Sequence, residues 1–101
     1  MAELQQEMFA AQLHTRFQVH HAPGRTTELE LVEIRGVRST PHQELFVPTF
    51  AGPEQPFLPQ QTYWFEHPVM GRFEMFIVPI GRDERGFQYE AVFNRLLSPG
   101  G

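Results

Sequence analysis

The chain has 101 residues, 41% of them hydrophobic, with no Cys, no Lys, eight Arg and a formal net charge of −4. That length suits one small domain with a single core, and ten Phe against one Trp supply large side chains with no polar atom to satisfy. The absences exclude thiol catalysis, disulfides and Cys-ligated metals, as well as Schiff-base chemistry and the Walker-type phosphate lysine.

The acidic balance argues against nucleic-acid binding, which needs a basic face. The N-terminal "MAELQQEMFAAQ" carries acids before its apolar residues, unlike a signal peptide. No apolar run approaches the roughly 20 residues of a membrane helix. A cytoplasmic protein without membrane contact is expected, in keeping with the lack of disulfides.

Residues 3–13, "ELQQEMFAAQL", read as a short amphipathic helix, with Leu4, Met8, Phe9 and Leu13 on one face. So short a helix must dock that face on something. The period then becomes two. A strand is predicted over 15–21, with Phe17 and Val19 alternating against Gln18 and His20, and "APGR" turns the chain. A second strand, 26–35, alternates Leu29 and Leu31 against Glu28 and Glu30 until the phase slips at Val32, the mark of a bulge or bend. "GVRSTPHQ" (36–43) reads as loop.

The third strand, 44–51, contains Pro48, which cannot donate to a ladder and so predicts an edge or a bulge. Pro53, Pro56 and Pro59 make 52–60 a stiff extended connection that lays Phe57 or Leu58 on the core. Strands over 61–67 and 72–80 flank "HPVMG", and a last strand over 87–94 turns Phe87, Tyr89, Ala91 and Phe93 inward. A frayed tail follows at 98–101, so one domain is expected over 1–97. Six short, evenly spaced strands predict a mainly β fold, an antiparallel barrel-like sheet or compact sandwich with a short N-terminal helix.

Read as a four-residue loop, "HPVMG" predicts that His67 faces Arg72, Phe65 faces Glu74 and Tyr63 faces Phe76. On the opposite face Glu66 meets Phe73 and Trp64 meets Met75. Adjacent Glu66 and His67 then point apart and form no dyad. Both hairpin faces come out apolar, so one needs a cover, for which the N-terminal helix is the first candidate. Tyr63, Phe65, His67, Arg72, Glu74 and Phe76 share one face and are the candidate interaction surface.

No catalytic, cofactor-binding or metal-ligating residues are assigned. His14, His20, His21, His42 and His67 show none of the short metal-ligand spacings, and neither Ser39 nor Ser98 sits in a nucleophile elbow. A non-enzymatic protein–protein interaction or assembly module, binding a partner or itself, is the favoured function. A small barrel holding an apolar small molecule is the alternative, and a metal- or Glu-dependent enzyme is least favoured.

The stretch 58–94, "LPQQTYWFEHPVMGRFEMFIVPIGRDERGFQYEAVFN", with "ELELVEIR" (28–35) and "FAGP" (50–53), resembles a family of small bacterial domains of unknown function. Members of that family show LPxGTYxxEHPxLGxxxLFLVPVG followed by YEAVFN. The chain departs from the pattern at Gln61, Thr49, Phe50 and Met70. The family has no established activity, so the resemblance implies no catalytic residues. Its members' association with phage-tail-like or surface-assembly genes implies a structural or adaptor role.

Overall fold

The computed structural model describes residues 6–40, 43–84 and 86–96. Helix α1 (Gln6–Ala10) precedes β1 (Arg16–Ala22), β2 (Arg25–Ser39), β3 (Gln43–Gly52), β4 (Gln61–His67), β5 (Gly71–Asp83), β6 (Gly86–Glu90) and β7 (Phe93–Leu96). All pairings are antiparallel, in the order β2–β1–β4–β5–β6–β3, and β2 pairs with β3 to close the sheet on itself. The result is a closed six-stranded barrel, with β7 added along the other half of β3. Closure removes the free edges that an open sheet would have to protect. No helix among the described residues is long and apolar enough to cross a membrane.

The interior follows the period-two pattern. Phe17 and Val19 of β1, Leu29 and Leu31 of β2, Phe46 and Phe50 of β3, Phe65 of β4, Ile77 of β5 and Tyr89 of β6 are fully buried. Their rings interlock at the tilted and edge-to-face spacings that aromatic quadrupoles favour. Phe17 lies 5.4 Å from Phe50, and Phe50 lies 5.7 Å from Phe65. A barrel of this strand number is narrow enough for side chains to fill it.

Two segments add apolar side chains to this core. Phe9 of α1 is fully buried among Phe17, Phe46, Phe73 and Phe93, at ring distances of 5.5–6.4 Å. The proline-rich connection contributes Leu58, buried as the sequence suggests, whose N–H donates to Tyr89 Oη at 3.0 Å. Tyr63 Oη donates to Pro59 O at 2.7 Å and fastens the same connection.

Three departures from the sequence pattern have local causes. The helix is shorter than 3–13: 11–14 form turns closed by Gln12 N–H to Phe9 O and Leu13 N–H to Ala10 O, and 3–5 lie outside the described residues. The expected loop at 36–43 is largely strand, because β2 continues to Ser39 against Glu44–Phe46. The expected strand 87–94 is two strands. Pro48 explains the break. Its carbonyl accepts from Ala91 N–H at 3.1 Å, so its missing N–H faces that same side, where β6 has ended and β7 has not begun. Pro48 is therefore tolerated in a strand paired on both sides, not at an edge. The phase slip at Val32 coincides with a register shift between Leu31 and Glu33.

Candidate functional site

The β4–β5 hairpin carries most of the residues singled out from the sequence, and its register differs from the predicted one by a single residue. His67 pairs with Gly71, Glu66 with Arg72, Phe65 with Phe73, Trp64 with Glu74, Tyr63 with Met75 and Thr62 with Phe76. The loop has three residues, Pro68 to Met70, and Gly71 at φ +81° closes it from within the ladder. A non-glycine residue would be strained there. The His67 side chain sets this shorter turn, since Nδ1 accepts from the N–H groups of Val69 at 3.1 Å and Met70 at 3.2 Å.

A slip of one residue carries every β5 side chain to the other face relative to β4. The six predicted surface residues do not share a face. Tyr63, Phe65 and His67 point into the barrel and are buried, while Arg72, Glu74 and Phe76 point outward and are exposed. The predicted cluster of His67, Arg72 and Glu74 is therefore corrected to two unrelated environments. Nor does α1 cover the outer face, because its one buried side chain, Phe9, enters the core.

His67 is a structural residue. Its ring lies 4.3 Å from that of Phe17, and its Nε2 is 2.8 Å from Thr15 Oγ1. With Nδ1 accepting two backbone N–H groups, the proton resides on Nε2, which donates to Thr15 Oγ1; that hydroxyl donates in turn to Gln12 O at 2.6 Å. Burial holds the His67 pKa below its ordinary value. His21 does not join it. His21 lies four residues from Phe17 along β1, about 13 Å by strand rise.

The outer face of β1, β4 and β5 holds the remaining chemistry. Gln18 pairs with Glu66 and His20 with Trp64 across β1–β4, which brings His20 Nε2 and Glu66 Oε1 into a short contact. Arg72 lies over the Trp64 ring at 4.8 Å. Trp64 and Phe76 are 42% and 48% exposed. Glu74, directly opposite Trp64, makes no ion pair or hydrogen bond among the described residues. The His20–Glu66 contact has no signal in the sequence, because it depends on the register between strands more than 40 residues apart. The exposure of Trp64 was hidden by the hairpin register.

This face presents an indole ring with a guanidinium over it and a carboxylate across the ladder from that ring. A groove of about 210 Å³ is lined by Arg16, Glu28, Glu30, Gly52 and Asp83 among others, and another of about 230 Å³ by Gln18, Glu66, His67 and Pro68. No three His, Asp or Glu side chains among the described residues gather into a metal-binding group.

Comparison with curated proteins and with solved structures gives no match. A family model does match nearly the whole chain, residues 4–93, and the chain belongs to that family, described as "Domain of unknown function (DUF6916)".

Proposed function

We propose that this domain is a non-enzymatic protein–protein interaction or assembly module that meets its partner on the outer face of β4 and β5. One observation carries the reading. Two large aromatics, Trp64 and Phe76, stand exposed on one barrel face while the nine other Phe and two Tyr were available to the core. Exposed aromatics with an adjacent Arg are the composition of interface centres. The alternative, an apolar molecule inside the barrel, has weaker support because interlocking rings occupy the interior. A cytoplasmic setting, within the phage-tail-like or surface assemblies that the family resemblance suggests, completes the proposal.

The test compares the wild-type chain with a Trp64→Ser/Phe76→Ser variant and with Val92→Ser, which changes an exposed apolar residue elsewhere. Circular dichroism first establishes that all three fold. A partner identified by affinity capture, then reconstituted from purified protein, should lose at least tenfold in affinity with the double variant and be unchanged with Val92→Ser. Equal binding by all three would refute this face as the interface.

A further inference from the structure

Resting on that reading, we propose that the partner presents an arginine to Trp64 and Glu74. The chemistry is already displayed in miniature. The guanidinium of Arg72 lies over the indole at 4.8 Å, so this ring accepts a cation on its π face. Glu74 stands directly across the β4–β5 ladder from Trp64, with Cβ atoms about 5 Å apart in such a pair. It is a carboxylate without an ion-pair partner among the described residues. A planar guanidinium suits this pair, because it stacks on an aromatic face while its edge donates to a carboxylate.

Charge complementarity chooses the same occupant. The chain carries 12 acidic against eight basic residues, and several of its arginines are engaged within the molecule, as in Arg16–Glu28, Arg35–Glu90 and Arg82–Glu54. Glu74 has no such partner among the described residues, which leaves its charge open to a cation from outside. Arg72 has somewhere to go when it arrives. Glu66 lies directly across the ladder from Arg72 and is held in place by His20. The incoming arginine therefore takes the indole and Glu74 while Arg72 falls back on Glu66. Phe76, exposed two pairs further along the hairpin, meets the apolar stem of the incoming side chain or its neighbour.

Trp64 is the single tryptophan, so its fluorescence and its indole N–H resonance report on this site alone. Three capped pentapeptides serve as probes: Gly-Arg-Leu-Arg-Gly, its Lys counterpart and its Glu counterpart. The Arg peptide should shift the Trp64 signals saturably, the Lys peptide should bind several-fold more weakly, and the Glu peptide should give no shift. Glu74→Gln should weaken the Arg peptide about fivefold, the size of one exposed charge contact.

The inference is overturned if the Arg peptide leaves Trp64 unmoved, or if Arg and Lys peptides act alike and Glu74→Gln changes nothing. It is also overturned if Trp64 shifts with protein concentration alone and light scattering shows a dimer, since the occupant is then a second copy. Failure here is separable from failure of the broader reading. A reconstituted partner that loses affinity with the Trp64/Phe76 variant but binds Glu74→Gln normally keeps the interface and removes the arginine.

Discussion

His67 and Thr15, 52 residues apart, are joined by a hydrogen bond of 2.8 Å that ties the β4–β5 turn to the residues linking α1 to β1. The relay continues through the Thr15 hydroxyl to Gln12 O, and the acceptor role of Nδ1 toward the turn requires His67 to be neutral with its proton on Nε2. Protonating Nδ1 would set a donor against the N–H groups of Val69 and Met70. The depressed pKa of His67 therefore becomes a statement about stability. The unfolded chain binds this proton more readily than the folded one, so the contribution is fully present above the ordinary value near 6.5 and is lost as pH falls through the lower folded value. Urea unfolding followed by circular dichroism should show stability declining on the acid side of pH 6.5. His67→Phe should flatten that decline, keeping the ring on Phe17 while lowering stability at pH 8. Thr15→Val should cost about 1–2 kcal/mol at pH 8 through the broken relay.

Burial acts with the opposite sign on the two tyrosines. It raises the pKa of both Tyr63 and Tyr89, with Tyr89 adding a smaller Coulombic push on Tyr63 and the Leu58 N–H pulling slightly downward on Tyr89. The neutral phenol is the form the fold holds. The stabilisation is present below the ordinary value of 10 and is lost as pH rises through the raised folded values. Ultraviolet titration should show both phenols resisting ionisation past pH 10 until unfolding releases them. Tyr89→Phe should lower stability by about 1 kcal/mol at pH 7 by stranding the Leu58 N–H, and should also reduce the alkaline loss.

Much of the fold was legible because it rests on local alternation. Phe17 and Val19, Leu29 and Leu31, and Tyr89 and Ala91 face inward as their spacing predicts. The bulge at Val32 and the burial of Leu58 were likewise visible as a phase slip and a proline-braced apolar residue. The errors arose where one side chain decides a register. His67 closes a turn one residue shorter than "HPVMG" suggests, and that residue moved Glu74 from opposite Phe65 to opposite Trp64 and Phe73 from opposite Glu66 to opposite Phe65. Sequence spacing could not reveal this, because His67 reads as a reactive or surface residue until its backbone acceptor role is seen. The split of 87–94 depended on Pro48, some 40 residues away.

Thr49 offers a direct check on the packing between strands. Its hydroxyl is buried with no hydrogen-bond partner among the described residues. It pairs with Glu33 on one side and Glu90 on the other, and the Arg35–Glu90 ion pair at 2.5 Å crosses over β3 on this face. Val has nearly the same shape and no polar atom to strand. Removing an unsatisfied buried hydroxyl recovers about 1 kcal/mol, so Thr49→Val should raise the thermal midpoint by several degrees. A lower midpoint would mean that the hydroxyl has a partner after all.

Gly86 tests how closely two strands approach. It sits at φ +140°, and a Cβ placed on it would fall 2.1 Å from Gly52 O and 2.9 Å from the Pro53 carbonyl carbon. Both obstacles are backbone, which cannot rotate aside as a side chain can. Gly24 provides the control, since it has a positive φ of +69° but open space around its missing side chain. Gly24→Ala should cost about 1 kcal/mol from backbone strain alone. Gly86→Ala combines that strain with a clash against paired strands and should cost about 3 kcal/mol or more. It should separate β6 from the end of β3, where Phe87 pairs with Gly52. Hydrogen exchange would locate the damage: loss of protection confined to Gly86–Glu90 and Thr49–Gly52 supports the close approach, whereas an unchanged β3–β6 ladder would contradict it.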